Sequence, residues 1–135
     1  MNILRRKKNG NRKGAATVEF AVCLPIIVLI VFGGIQASNL LFLRQTLVQA
    51  AYEGIKTGVK IDGTATSAIA SAQSVVDGRN LRNVTITLNP SVVETLDRGS
   101  IIEMTVTATA DDNSLFPFGP FAGKQIVATS VMVKE

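Results

Sequence analysis

The chain has 135 residues, with 14 Lys and Arg against 10 Asp and Glu, no His and one Cys. This length leaves room for one small domain beside a long helix, and the single cysteine, Cys23, excludes an intramolecular disulfide. Without His or a Gly-rich phosphate loop, the sequence offers no nucleophile-base pair, no zinc ligand set and no nucleotide cradle. We therefore predict a non-enzymatic protein with no catalytic residue, no metal and no cofactor.

The first 14 residues form a basic segment that contains six Lys and Arg residues and no acid. Basic residues that flank a membrane helix favour the cytoplasmic side, which predicts a cytoplasmic N-terminus and an exported C-terminal region. Removal of this segment would change the formal net charge from +4 to −2. Since no basic face would remain, we predict no nucleic-acid partner.

An apolar run from Phe20 to Leu43 follows without one formal charge. As a helix it would be about 36 Å long, slightly more than the roughly 30 Å hydrocarbon core of a bilayer. The run predicts a membrane-spanning helix with the lipid bilayer as its surroundings. The alternative is a buried core helix, but a chain this short can hardly enclose one on all sides.

Two other classes of N-terminus share this pattern of charge followed by apolar residues. An ordinary secretory signal peptide has a shorter apolar segment and a small-x-small cleavage site after it. Here the nearest such site is the weak Gln36-Ala37-Ser38. The secretory signal peptide is the main alternative for the N-terminus, and an uncleaved signal anchor also stays open.

Glu19 lies at the edge of the apolar run, where an unpaired carboxylate is costly. In one interpretation, it sits among lipid headgroups near the positive end of its own helix, which is worth a few tenths of a kcal/mol. In the other, cleavage between Gly14 and Ala15 creates an amine about one helical turn from Glu19. That amine and the carboxylate would then pair between neighbouring subunits.

The residues around this acid carry a family resemblance. Gly14, four small or apolar residues, Glu19 and Phe20 together resemble the processing site of type IV pilin-like proteins. The fuller string from Arg12 to Ala21, followed by Leu24-Pro25 and Phe32-Gly33, resembles the TadE-like family of the tight adherence (Flp-type) pilus. The resemblance implies a minor pilin or pseudopilin that a prepilin peptidase cuts after Gly14. It also implies assembly with other pilin subunits and the pilus assembly platform through the apolar helix.

Three further residues of the span bear on how it packs. Pro25 removes one backbone hydrogen bond from the helix, which neighbouring helices can resupply in a membrane. Gly33 and Gly34 leave a smooth patch that either allows close approach of another helix or only makes the helix flexible. With Glu19 and Phe20, these three residues form the predicted subunit-assembly set.

The exported region predicts an α+β domain packed on an extension of the long helix. Apolar residues continue at helical spacing from Leu40 to Val59, and Ala50, Gly54 and Gly58 form a small-residue ridge one turn apart. A second helix fits 64–77, with Thr64 as its N-terminal cap, Gly78 as its C-terminal cap and one apolar face. That face comprises Ala65, Ala68, Ile69, Ala72 and Val76. Alternating residues predict three antiparallel strands, over 84–88, 102–110 and 125–133.

The connection 111–123 contains an apolar loop, Leu115 to Phe121, with three of the six phenylalanines. It either closes the end of the small core or forms a subunit contact. The preceding Asp111-Asp112-Asn113 lacks the spacing of a calcium loop and predicts a turn.

We therefore predict three segments: a leader over 1–14, a membrane-spanning helix over 15–43 and an exported α+β domain over 44–135. The predicted protein is a single-pass protein of the cytoplasmic membrane that assembles into, or together with, a tight adherence pilus. The alternative is a signal-anchored protein whose exported domain is a ligand- or partner-binding module. The position within a pilus, at its tip or in the platform stays open.

Overall fold

The computed structural model describes residues 11–115 and 122–135. Its elements in chain order are α1 (Asn11–Gly58), α2 (Ala65–Gly78), β1 (Val84–Asn89), β2 (Ile101–Thr109), α3 (Ala110–Asn113) and β3 (Gln125–Val133). This order confirms the predicted α+β class, with a long apolar helix, a second helix and three antiparallel strands. The chain divides into two compact units, Met1–Ile35 and Gln36–Glu135. The finer division at residues 14 and 43 stays a prediction.

In the first unit, every described residue from 14 to 35 is helical and exposed. Among the described residues, α1 is the one helix long and apolar enough to cross a membrane. No residue of its most apolar 18-residue stretch is buried within the chain. The apolar side chains therefore lack a core of their own, as expected when lipid or another subunit supplies their surroundings.

The second unit is built around the C-terminal half of α1. The predicted stripe from Leu40 to Val59 is confirmed from Leu43 onward, since Leu43, Leu47, Ala51, Ile55 and Val59 are buried, while Leu40 is half-buried. They join residues of α2 and of the sheet in one hydrophobic cluster. Helical periodicity in this half of α1 therefore reports its contact with the rest of the domain.

The small-residue ridge of α1 packs against both α2 and β2. A Cβ atom added at Gly54 would clash with the sulfur of Met104 and would lie 2.8 Å from the Cβ of Ala72 and 2.9 Å from the carbonyl oxygen of Ala68. One at Gly58 would lie 3.2 Å from the Cβ of Ala68. The ridge thus brings both α2 and β2 close to α1.

Thr64 caps α2 as predicted. Its hydroxyl accepts a hydrogen bond from the Ser67 amide at 3.0 Å, and the Ser67 hydroxyl accepts one from the Thr64 amide at 3.1 Å. The prediction that Gly78 is the C-terminal cap of α2 is wrong. Gly78 is the last helical residue and Arg79 is the C-terminal cap, while the left-handed conformation falls two residues later at Asn80.

The sheet has the strand order β1-β2-β3 with both pairs antiparallel. Its inner face meets the helices through alternate residues of β2, namely Ile102, Met104, Val106 and Ala108, all buried. The opposite face carries the threonines of the alternating pattern. The predicted in-and-out assignment of β2 is therefore confirmed.

The connection after β2 is not a simple turn, because residues 110–113 form the short helix α3. The sequence predicts Ala110 as the last residue of the second strand; it is instead the first residue of α3, and it is buried. The apolar loop lies mostly outside the described residues, since 116–121 belong to neither described range. Its two interpretations therefore stand as predictions, as do those that concern residues 1–10.

Candidate functional site

The predicted processing site lies on the N-terminal part of α1. Gly14 and Ala15 are helical and exposed, and nothing lies within 4 Å of a Cβ atom added at Gly14. Packing within the chain therefore does not require glycine at this position. A requirement for glycine would have to come from another molecule that contacts the backbone there.

Glu19 follows Ala15 by four residues, one helical turn along α1, and its side chain is exposed. With about 100° per residue, Ala15 and Gly33 both lie within about 40° of Glu19 around the helix axis. The structure thus places three of the predicted site residues along one side of the helix. Because Ala15, Glu19 and Gly33 share that side, one neighbouring helix can contact all three.

The other predicted assembly residues lie on different sides. By the same rotation, Phe20 is about 100° and Pro25 about 120° away from Glu19. Phe20 is 60% exposed, and a Cβ atom added at Gly34 would meet nothing within 4 Å. The predicted assembly residues therefore do not form one patch. They lie on several sides of the helix.

A second exposed apolar surface, which the sequence analysis missed, lies on the C-terminal half of α1. Leu41, Val48 and Tyr52 are 61%, 51% and 48% exposed. They recur at seven- and four-residue spacing, so they share one side of the helix, while Leu43 and Leu47 face the core. We refer to Leu41, Val48 and Tyr52 as the outward stripe. Its signal in the sequence was a second apolar periodicity, shifted from the buried one.

Glu94 and the neighbouring Val93 connect the loop after β1 to the start of α2 and to the C-terminal residues. The sequence analysis did not predict this contact. The Glu94 carboxylate accepts hydrogen bonds from the Ala65 amide at the start of α2, at 2.8 Å, and from the Val93 amide, at 3.0 Å. The Lys134 ammonium donates to the Val93 carbonyl beside it. Hydrogen bonds from the backbone amides of Glu94 itself, Ala65 and Val93, together with the Lys134 charge, hold the pKa of Glu94 below its usual value. No periodic pattern marks such a contact.

The polar residues of α3 hold neighbouring segments of the second unit together. The Asp111 carboxylate accepts hydrogen bonds from the Gly123 amide, and Asp112 accepts one from the Asn83 side chain at 2.9 Å. Asn113 exchanges hydrogen bonds with the backbone of Arg82. Among residues 11–115 and 122–135, no group of three or more His, Cys, Asp or Glu side chains is placed to hold a metal ion.

The N-terminal region of the chain matches a known protein family. The family model described as TadE-like protein matches residues 14–55. This match confirms the predicted resemblance, and it includes the apolar run and the outward stripe. No curated protein and no solved structure matches the chain.

Proposed function

We propose that this chain, with its TadE-like N-terminal region, is a minor pilin or pseudopilin of a tight adherence pilus. The observation that carries the proposal is the family match, which begins at Gly14, the residue before the predicted cut. The TadE-like family is a pilus-related, structural kind of protein. The exposed apolar stretch in the N-terminal part of α1 fits a single-pass membrane protein of such a system.

In this proposal, a prepilin peptidase removes residues 1–14 at the cytoplasmic face of the membrane. Because the cut precedes the apolar helix, the mature protein keeps its anchor and gains an amine at Ala15. The six basic residues of the leader hold the N-terminus in the cytoplasm until then, and the domain from residue 44 onward is exported.

The proposed assembly contact pairs the Ala15 amine of one subunit with Glu19 of a neighbour. Each charge alone is costly in apolar surroundings, and the pair removes most of that cost. Gly33 lies on the same side of the helix and leaves room for the neighbouring backbone. In the second unit, the outward stripe offers a separate apolar surface for other pilin subunits or the assembly platform.

The test is replacement of Glu19 by Gln, which keeps the shape and removes the charge. Cleavage and membrane insertion should persist, because neither uses the pair. Incorporation should fall, because an unpartnered buried amine costs about 3–5 kcal/mol, equivalent to a hundredfold or more in association. The measurement is the fraction of processed protein that co-purifies with sheared pili or with the assembly platform.

Glu53→Gln is the matched control, since Glu53 lies on the same helix and meets Lys56 at 4.0 Å on an exposed surface. This control should co-purify like the wild type, because an exposed ion pair contributes little. Equal recovery of the Glu19→Gln and wild-type proteins would leave Glu19 as a headgroup charge. A wild-type protein found with neither pili nor platform would contradict the proposed function itself.

A further inference from the structure

One end of the second unit contacts the last part of the uncharged run. The run from Phe20 to Leu43 continues into this unit, which begins at Gln36. The last polar residue of the run, Asn39, is half-buried, and its side-chain amide donates a hydrogen bond to the carbonyl oxygen of Asn113 at 2.9 Å. The short helix α3 is therefore held against the residues through which the run enters the domain.

The length of the run places Asn39 at the edge of a bilayer. As a helix, the residues from Phe20 to Asn39 are about 30 Å long, which matches the hydrocarbon thickness. A polar group at this edge needs a partner from the protein, because lipid tails offer no hydrogen bond. The carbonyl of Asn113 is such a partner. The contact between α1 and α3 thus fits the boundary between lipid tails and headgroups.

Further hydrogen bonds hold neighbouring segments at this end of the domain. The Asn113 side chain accepts a hydrogen bond from the Arg82 amide at 2.7 Å and donates one to the Arg82 carbonyl at 2.8 Å. The Asp111 carboxylate accepts one from the Gly123 amide at 2.9 Å. These contacts join the turn before β1, helix α3 and the segment before β3 into one surface. We refer to this surface as the α3 end; it comprises 82–83, 111–115 and 122–124.

Leu115 is the one large apolar side chain of the α3 end, and it is 66% exposed. The six residues that join it to Ala122 lie outside the described ranges, and their sequence contains three phenylalanines. An apolar side chain at a membrane surface gains free energy when it leaves water for the lipid interface. Lipid therefore offers Leu115 a more favourable environment than water.

The charged side chains of the α3 end are of both signs. Arg82 and Lys124 are opposed by Asp111 and Asp112, so their formal charges sum to zero. Attraction to anionic lipid requires an excess of basic residues, which this surface lacks. The exposed Arg82 side chain can still donate hydrogen bonds to a single lipid phosphate. A contact with lipid at this end would therefore depend on apolar insertion.

We propose that the α3 end rests on the bilayer surface from which α1 emerges, with Leu115 among the lipids. The uncharged run that anchors the chain also holds this end at the membrane, which singles out lipid as its partner. At the opposite end of the domain, the Glu135 amide donates to the Val59 carbonyl at 3.0 Å. Val59 follows Asn39 by about 30 Å of helix, so that end lies away from the lipid. The inference rests on the membrane anchoring of the proposed function, but not on cleavage or pilus incorporation.

Tryptophan fluorescence of the full chain in vesicles tests the contact, because the sequence contains no Trp. Leu115→Trp places one at the α3 end. Ile61→Trp is the matched control, since Ile61 is also 66% exposed but follows α1 at the opposite end. In vesicles whose lipids carry bromine on the acyl chains, Leu115→Trp should lose most of its emission and emit at shorter wavelength. Ile61→Trp should keep its emission, since bromine quenches only at short range.

A third variant, Leu29→Trp, reports the anchoring itself, because Leu29 is 73% exposed within the apolar run. Its emission should be quenched as well. Quenching of Leu29→Trp without quenching of Leu115→Trp would overturn the contact and leave the anchoring intact. An unquenched Leu29→Trp would contradict the anchoring, and with it both the contact and the proposed function.

Lipid composition separates apolar insertion from attraction between charges. Leu115→Trp should be quenched equally in vesicles of brominated phosphatidylcholine and in vesicles that also contain phosphatidylglycerol, since the α3 end has no net charge. Quenching that required phosphatidylglycerol would overturn insertion as the cause. Equal quenching of Leu115→Trp and Ile61→Trp would also overturn the proposal, because neither end of the domain would then be preferred.

Discussion

At the scale of single residues, Glu94 shows how one exposed carboxylate joins segments that are distant in sequence. It accepts hydrogen bonds at the start of α2 while the neighbouring Val93, fully buried, is held by Lys134 near the C-terminus. A carboxylate that accepts several amide hydrogen bonds is stabilised in its charged form, which is why its pKa is lowered. An acid at a helix N-terminus also meets the positive end of the helix dipole.

The lowered pKa of Glu94 predicts a pH-dependent contribution to stability. Since this pKa is lower in the folded than in the unfolded chain, the ionised carboxylate stabilises the fold. The contribution is complete above the ordinary value of 4.5 and is lost as the pH falls through the folded value. Glu94→Gln should therefore lower the Tm at neutral pH, and its difference from wild type should shrink below about pH 4.5.

Thermal unfolding of the full chain in detergent, followed by circular dichroism between pH 7 and pH 3, measures this difference. Thr95→Ala, at the next residue along the exposed loop, is a control that removes no titratable group. A Glu94→Gln difference that stayed constant across this range would contradict the role of the charge.

At the scale of elements, Gly54 fixes the distance between α1, α2 and β2. Any Cβ atom at this position meets the Ala68 carbonyl and the Ala72 Cβ below 3.0 Å, and a backbone carbonyl cannot turn aside like a flexible side chain. Alanine is the better helix former by about 1 kcal/mol, so propensity alone would predict that Gly54→Ala stabilises α1. The packing predicts the opposite sign.

We expect Gly54→Ala to lower the free energy of unfolding by about 1–3 kcal/mol, the usual cost of overpacking a core. Gly78→Ala is the matched control, because a Cβ atom at this last residue of α2 meets nothing within 4 Å. Denaturant unfolding of both variants in detergent decides the question. An equal or higher unfolding free energy for Gly54→Ala would show that the helices separate at little cost.

The helices and strands were predictable where the spacing of apolar residues along the chain indicates which side chains are buried. The stripe from Leu43 to Val59 and the alternation of β2 fixed helix, strand and inner face correctly, since each pattern is local. The sequence predicted the small-residue ridge at Gly54, but it did not predict that α2 packs there. The spacing of residues along one helix does not say which element approaches it. Glu94 and the end of α2 lay beyond prediction, since both depend on contacts or backbone conformations without a periodic signal.

The candidate site was predictable to a different degree. The motif from Gly14 to Phe20 led to the TadE-like resemblance, and the match over residues 14–55 confirms it. The arrangement of Ala15, Glu19 and Gly33 along one side follows from helical rotation alone. What these residues contact in an assembly depends on other molecules, so their roles remain proposals.

At the scale of the whole molecule, the chain combines an apolar helix without a core of its own and a domain with a core that is nearly complete. The first unit buries none of its described side chains from residue 14 onward. The second buries one face of each helix and of the sheet, and leaves the outward stripe and the outward valines of β3 exposed. The described residues leave all three apolar surfaces uncovered, and exposed apolar patches of this kind mark interaction sites. A subunit of a membrane-anchored assembly accounts for all three.

The proposed role as a processed subunit depends on cleavage after Gly14, which the mature N-terminus reports. Intact-mass and N-terminal analysis of the protein from its native membranes should give a chain that begins at Ala15. Gly14→Leu should leave the full-length chain uncut, while Gly10→Leu, within the leader, should be processed normally. A native chain that still begins with the basic segment, or a Gly14→Leu protein that begins at Ala15, would contradict the account.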